Sequence, residues 1–187
     1  MIRRLRARTL ATLAAAAVLV STLGSCSTFS RNDVVASLDD RELSRDDFEQ
    51  MAGSELARQI VGEAPGGDRI AGDAARALIT AWIVSGAVSE TTPIDAAALD
   101  AADALGAEQF GPEWTDTPDV VRDLLRLNIA IGELNATGGI DADAARDLLA
   151  DGDVYVDPRY GRWDAEAVTV TSLGVPQPTT PTLVIDQ

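Results

Sequence analysis

The sequence contains no histidine and no lysine, and it has a single cysteine among its 187 residues. Without histidine, the chain cannot form a Ser-His-Asp triad, a histidine-containing zinc site or an imidazole proton relay. A single cysteine cannot form an internal disulfide, which excludes the small secreted scaffolds that depend on such bonds. The eight aromatic residues are few for this length, so a folded core needs most of them.

The first 25 residues have the layout of a secretory signal. Four arginines lie within the first eight residues, and an uncharged apolar run extends from Leu10 to Val20. This run is shorter than the roughly 20 residues that a membrane-spanning helix requires. The following Leu23-Gly24-Ser25-Cys26 resembles the lipobox of bacterial lipoproteins, in which small residues precede the cysteine that receives the lipid. We therefore expect residues 1–25 to be a signal peptide and Cys26 to carry the lipid.

A lipid on Cys26 would place the mature chain on the outer face of the cytoplasmic membrane. Two acyl chains anchor a protein stably, because each buried methylene contributes about 0.8 kcal/mol. Residues 26–32 would then form a lipidated tether, in which Ser27–Asn32 reach at most about 20 Å and keep the domain close to the bilayer. Two alternatives stay open at this point: a secreted protein with an incidental cysteine, and a signal that is retained as an anchor.

The mature chain is strongly acidic. All 30 acidic residues and 11 of the 15 arginines follow residue 25, so the net charge after cleavage is −19. Such a surface repels nucleic acid and anionic lipid within a Debye length of about 8 Å, and we expect neither as a partner. Solubility explains the charge adequately, and attraction of basic client segments is the alternative explanation.

Residues 33–171 are predicted to form one domain that begins with a β-hairpin. Val34–Leu38 and Arg41–Leu43 are short arms on either side of Asp39-Asp40, a pair that tolerates turn conformations. Ser44 and Asp47 approximate a capping box, which predicts that a helix follows the hairpin directly. Within it the apolar residues recur at helical spacing, at positions 48, 51, 56 and 60.

Three or four more helices are predicted after this first one. Ala77–Val84 is apolar nearly all round, which predicts a buried central helix. We expect Asp95 and Asp141 to cap two further helices, and Thr117-Pro118 to begin another with a capping hydroxyl and a proline at the first helical position. Phe110–Trp114 is predicted to be a rigid aromatic loop.

The C-terminal part is predicted to return to the hairpin. Val154–Val156 is a predicted strand, and Trp163–Val170 is a candidate for another. Because two strands alone are marginal in water, we expect Tyr155 and its neighbours to pair with the hairpin edge. The predicted fold class is therefore α+β, mostly α: a helical bundle with a small antiparallel sheet formed by an N-terminal hairpin and a C-terminal strand. Residues 172–187, rich in Pro and Thr, are predicted to be a disordered tail.

Two segments at opposite ends of this domain carry motifs. Residues 35–48 have the sequence VASLDDRELSRDDF, and residues 154–164 have the sequence VYVDPRYGRWD. The first resembles the start of SurA-type chaperones, where a hairpin of the form V-A-x-V-N-G-x-x-I leads into a helix beginning T/S-x-x-E/D-F. The second resembles the N/D-P-R-Y-G-x-W/F-D stretch that closes short SurA-like lipoproteins of actinobacteria. Seven residues match that closing motif: Asp157, Pro158, Arg159, Tyr160, Gly161, Trp163 and Asp164.

The resemblance implies a holdase-like domain that shields exported polypeptides and catalyses no reaction. Larger members of the family insert a parvulin-type prolyl isomerase domain. The predicted helices leave no room for such an insertion, and the chain lacks the histidines on which parvulin sites draw. We therefore expect the protein not to be an enzyme.

A holdase requires exposed apolar surface surrounded by polar groups. The candidate client-binding residues are Met51, Phe110 and Trp114, with Trp163 after the strand as a fourth, and each of them could instead pack in the core. In the closing motif, Arg159 and Tyr160 could bind a carboxylate, but holding the turn against the hairpin is the expected role.

Neither a metal nor a cofactor is predicted. Asp141-Ala142-Asp143 and Asp151-Gly152-Asp153 resemble parts of calcium loops, but they lack the fifth-position ligand, the sixth-position glycine and the twelfth-position glutamate. Helix capping and turns explain both segments. We also assign no catalytic residue, because carboxylate pairs arise by chance among so many acidic residues.

Two functions remain open from the sequence. The first is a membrane-anchored extracytoplasmic holdase that binds unfolded or partly folded exported polypeptides. The second is a structural or accessory envelope lipoprotein that docks to one dedicated protein partner. A hydrolase or isomerase is the least favoured class.

The lipobox interpretation predicts that Cys26→Ala releases the protein from the membrane fraction, because the acyl chains have no other attachment point. Membrane fractionation followed by immunoblotting measures this directly, with a Ser27→Ala variant as the control. A Cys26→Ala protein that still pellets with membranes would show that the cysteine is not the anchor.

Overall fold

The computed structural model describes residues 33–62, 70 and 72–173 of the chain. The predicted signal peptide, the tether with Cys26 and nearly all of the predicted tail lie outside the described residues. No helix in the described ranges is long and apolar enough to cross a membrane.

Helices make up most of the described chain, and short strands stand at both ends. The strands are β1 (Val34–Leu38), β2 (Arg41–Ser44), β3 (Val154–Val156), β4 (Arg162–Asp164) and β5 (Thr169–Thr171). The helices are α1 (Arg45–Gly53), α2 (Glu55–Ile60), α3 (Gly72–Thr91), α4 (Ala96–Phe110), α5 (Pro112–Asp116), α6 (Asp119–Ala136) and α7 (Ala142–Asp151). The predicted mostly helical α+β class is confirmed.

A three-stranded antiparallel sheet of order β2-β1-β3 joins the two ends of the domain. The predicted pairing is confirmed: Leu38 lies opposite Val154, and Ala36 lies opposite Val156. All five residues of β1 are buried, because β1 lies between two strands and packs on α3. The strands β4 and β5 form a separate antiparallel hairpin, and β5 also packs against α3.

The turn of the first hairpin also contacts the C-terminal segment. Asp39 adopts a positive φ of 47°, a conformation that aspartate tolerates better than most residues. Its amide donates to the Asp153 carbonyl oxygen at 3.1 Å, and its carboxylate accepts a hydrogen bond from the Asp153 amide at 2.9 Å. Two reciprocal hydrogen bonds with Asp153 therefore hold the turn at Asp39.

Three predicted helix starts have the expected caps. The Ser44 hydroxyl oxygen accepts a hydrogen bond from the Asp47 amide at 3.1 Å and begins α1. Asp95 and Asp141 cap α4 and α7 in the same way, at 2.8 and 3.0 Å. Each cap satisfies one amide that has no partner within its own helix.

Two helix boundaries differ from the prediction. The helix after the hairpin is interrupted at Ser54, whose hydroxyl oxygen accepts from the Ala57 amide and begins α2 as a separate helix. At the start of α6, the Thr117 hydroxyl donates back to the Glu113 carbonyl oxygen instead of capping, and Pro118 occupies the N-cap position. In both places the side-chain hydroxyl forms a hydrogen bond with a nearby backbone group. Residue spacing in the sequence does not specify which backbone group this will be.

The prediction that Phe110–Trp114 forms an aromatic loop is wrong. Phe110 is the last residue of α4, which continues four residues past Gly106, and Trp114 lies inside the short helix α5. Pro112 begins α5, since a proline at the first helical position lacks only an amide that would have no helical partner.

The core surrounds α3, which packs against β1, β5, α1, α6 and α7. Its central position agrees with the prediction, but it is not buried on all sides. Leu78, Ile79 and Ile83 are buried, whereas Trp82 and Val84 are only partly covered. The partly covered side of α3 therefore leaves apolar surface near solvent.

Candidate functional site

The closing motif is organised around one buried carboxylate. Asp157 is 5% exposed, and its amide donates to the Val35 carbonyl oxygen of β1 at 2.8 Å. Its carboxylate accepts from the Arg45 guanidinium of α1 at 3.1 Å and from the Arg159 amide at 2.9 Å. The Arg159 Nε also donates to both carboxylate oxygens at 3.0 Å. Asp157 therefore links β1, α1 and the turn that follows β3.

The two arginines determine the charge state of this carboxyl group. Burial alone raises the pKa of Asp157, but the hydrogen bonds from Arg159 and Arg45 outweigh burial and lower the pKa below its ordinary value. Asp157 is therefore ionised at neutral pH, and its negative charge is compensated inside the fold.

The remaining motif residues bring the C-terminal segment against the helices. The Tyr160 ring meets the buried Phe48 ring edge to face, with centroids 4.8 Å apart. The Trp163 indole donates to the Leu149 carbonyl oxygen at 3.3 Å. Gly161 has a φ of 145°, and a Cβ there would lie 2.2 Å from the Thr171 carbonyl oxygen, so only glycine fits. Pro158 is exposed in the turn.

We call residues 157–163, together with Arg45 and Phe48, the C-terminal clasp. Arg159 directs its guanidinium to Asp157, and Tyr160 packs on Phe48. These contacts match the expected role of holding the turn against the domain, and they leave the Arg159 guanidinium engaged with a carboxylate of its own chain.

Two of the four candidate client-binding residues lie in the core, and Trp163 is partly covered. Met51 is completely buried, and Trp114 is 3% exposed. Trp114 lies against Gly106, and its indole donates to Asp103 at 3.0 Å. Phe110 is partly covered, because it stacks on Trp114 with centroids 5.9 Å apart. The expectation that Met51 and Trp114 offer apolar surface to a client is therefore wrong. Only part of the Phe110 ring is exposed.

A groove of about 330 Å³ lies elsewhere, between α3 and α6 beside the start of β2. The lining residues are Arg41, Trp82, Ser85, Val120, Asp123, Leu124 and Leu127. The apolar residues of α6 at positions 120, 124 and 127 are spaced by four and three, so they share one face of the helix. We call this site the Trp82 groove. Its volume lies at the lower end of the roughly 300–1,000 Å³ range of ligand pockets.

Polar groups stand at the edge of the Trp82 groove. The Arg41 guanidinium carbon lies 5.1 Å from the centre of the Trp82 ring, a cation–π geometry. Asp123 pairs with Arg126, one turn further along α6, at 3.0 Å. Apolar walls with a few placed polar groups are the usual composition of a site that receives a side chain of another molecule.

Gly86 provides the space in which Arg41 lies. It stands in the middle of α3, where glycine costs about 1 kcal/mol relative to alanine. A Cβ at this position would lie 2.3 Å from the Arg41 Nη1 atom. A glycine inside an otherwise helix-favouring run is thus the sequence signal that points to this site, although it does not identify the arginine.

Another hollow is less suited to apolar ligands. It has a volume of about 340 Å³ and lies between the α1–α2 junction and the α5–α6 junction, with Glu55, Glu113 and Asp116 among its lining residues. The described residues contain no cluster of three or more metal-ligating side chains. Comparison of the chain with protein-family models, curated proteins and solved structures gave no match. The resemblance to SurA-type chaperones therefore stays a prediction.

The clasp predicts an acid-sensitive stability. Because the pKa of Asp157 is lowered on folding, its ionised form stabilises the fold above the unfolded-state pKa of about 4, and this stabilisation is lost as the pH falls through the lower folded pKa. Asp157→Asn should cost about 1–3 kcal/mol of unfolding free energy at pH 7, and this cost should shrink below about pH 4. Urea unfolding curves recorded over a pH series measure both the cost at pH 7 and its decrease at low pH.

The matched control for that series is Asp73→Asn. Asp73 pairs with Arg76 on the surface of α3, and its side chain is 95% exposed, so its removal should cost under about 1 kcal/mol. Equal costs for the two variants at pH 7 would contradict the assignment of Asp157 as the link between the two ends of the domain.

Proposed function

We propose that this protein is a membrane-anchored, extracytoplasmic holdase-like module that binds segments of exported polypeptides in the Trp82 groove. The main support is the groove itself, where partly covered Trp82, Val120 and Leu127 meet polar groups at the edge. Placing one large apolar side chain in such a site contributes about 1.5–3 kcal/mol. Binding of this kind requires no chemical step.

The remaining surface supports binding of one segment at a time. Among the described residues, the exposed large apolar side chains are Ile60, Leu105 and Leu173, at 51%, 42% and 50% exposure. They belong to α2, to α4 and to the segment after β5, and none of them lines the Trp82 groove. Affinity for any one segment should therefore be modest, which suits a holdase that releases its clients.

The same observation favours the second candidate, docking to one dedicated envelope partner. A single small groove can receive one anchoring side chain of a folded partner as readily as a segment of an unfolded chain. The two functions differ in selectivity: a holdase accepts many sequences, whereas a docking protein accepts one surface.

The proposed location follows from Cys26 and the short tether. A lipid at Cys26 would keep the groove close to the outer face of the cytoplasmic membrane, where exported chains emerge unfolded. The charge of −19 after cleavage would keep the domain away from anionic headgroups, so that the lipid makes the membrane contact.

If clients bind in the Trp82 groove, a charge placed in its wall should weaken client binding. Leu127→Glu should weaken suppression of aggregation of an unrelated, chemically denatured protein by about tenfold or more, because a carboxylate replaces an apolar wall. Leu105→Glu makes the same change on the exposed face of α4 and is the matched control. Light scattering at near-equimolar ratio measures both variants, after thermal melts establish that they are folded.

The outcomes separate the two candidates. Loss of suppression in Leu127→Glu alone supports the holdase. Equal suppression by both variants would place client binding outside the groove. No suppression by the unmodified protein, combined with a single stoichiometric crosslinked partner in intact cells that Leu127→Glu abolishes, would favour the docking protein.

A further inference from the structure

Arg41 differs from most arginines of the described chain in having no carboxylate partner among the described residues. Six others form ion pairs with aspartates of this chain, namely Arg45, Arg76, Arg122, Arg126, Arg146 and Arg159. The contacts of the Arg41 guanidinium are the Trp82 ring at 5.1 Å and a long hydrogen bond of 3.5 Å to the Ser89 hydroxyl. Arg162 also has no ion pair among the described residues, but it is exposed on β4, whereas Arg41 lines a groove.

Its position is fixed by the fold. Arg41 is the first residue of β2, paired with Leu38 across the hairpin turn, and this pairing directs the side chain to α3. There Gly86 leaves room for the guanidinium, and Trp82 supports one of its faces. A guanidinium held in this way keeps planar N–H donors in place at the edge of an apolar groove.

The carboxylate of Asp123 also lines this groove, but its ion pair is with Arg126 at 3.0 Å. Apart from the long bond to Ser89, the donors of Arg41 can therefore bind a group of another molecule. A carboxylate fits them best, because it can accept two parallel hydrogen bonds from a guanidinium.

We propose that the Trp82 groove selects polypeptide segments in which an acidic side chain flanks a large apolar one. The apolar side chain enters between α3 and α6, and the carboxylate pairs with Arg41 at the edge. This inference rests on the proposed function, since it names the class of segment that the groove receives.

The overall charge of the protein limits how many acidic residues such a segment can carry. Interactions between exposed charges are largely screened beyond about 8 Å at physiological salt, so a carboxylate beside Arg41 is attracted locally. Acidic residues elsewhere on the segment meet a surface of net charge −19 and are repelled. Selection should therefore favour an isolated acid next to an apolar residue over a run of acids.

Two capped, fluorescein-labelled peptides test the inference on the full chain. One contains Asp-Leu-Phe and the other Asn-Leu-Phe within the same Gly-Ser flanks, so that the two peptides differ by a single carboxylate. Fluorescence anisotropy should give a Kd about tenfold lower for the Asp peptide, and added salt should reduce this ratio. Equal affinities for the two peptides would overturn the inference and leave the groove assignment intact. Binding of neither peptide would overturn both.

Three variants test the assignment of the carboxylate contact to Arg41. Arg41→Gln should bring the ratio of the two Kd values close to one, and Arg41→Lys should retain part of it, because the positive charge remains. Gly86→Ala keeps the arginine but fills its space, so the ratio should fall while the helix is retained. A ratio that stays near tenfold in both Arg41→Gln and Gly86→Ala would show that another group binds the carboxylate.

Discussion

The fold depends on the contact between its two ends, where the Asp157 carboxylate lies between Arg45 and Arg159. A two-stranded hairpin is marginal in water, and its inner strand gains its second neighbour only when β3 returns after seven helices of the described chain. The Asp157 amide continues the ladder by donating to Val35, and the carboxylate then ties the same residue to α1. Strand pairing and ion pairing thus converge on one residue.

The groove depends on this closure indirectly. The strand β1 packs on α3 and is paired with β2, and β2 begins with Arg41. The clasp therefore fixes the hairpin, the hairpin fixes Arg41, and Arg41 lies over Trp82 at the edge of the groove. A client-binding site would in this way be assembled from residues far apart in the sequence, and the hairpin would connect the clasp to the groove. Affinity would then depend on the integrity of the clasp as well as on the groove.

The local signals in the sequence predicted much of the fold, and the site depends on tertiary contacts that they do not encode. Ser44, Asp95 and Asp141 cap helices as expected because capping involves residues three apart in the chain. The return of β3 to the hairpin followed from the need of a short hairpin for another strand. The aromatic residues were harder to place, since composition indicates only that most are buried. Trp114 is buried because α5 places it against Gly106. Trp82 stays partly uncovered in the groove between α3 and α6.

Native-state hydrogen exchange at the Asp157 amide tests the central claim most directly. This amide donates to Val35 across the junction of the two ends, so its exchange reports the opening of that junction. If the clasp is part of the cooperative core, the Asp157 amide should exchange with the same opening free energy as the amide of Ile83 in the middle of α3. Exchange at Asp157 with a much smaller opening free energy, while Ile83 stays protected, would mean that the helices fold without the clasp and would contradict the account.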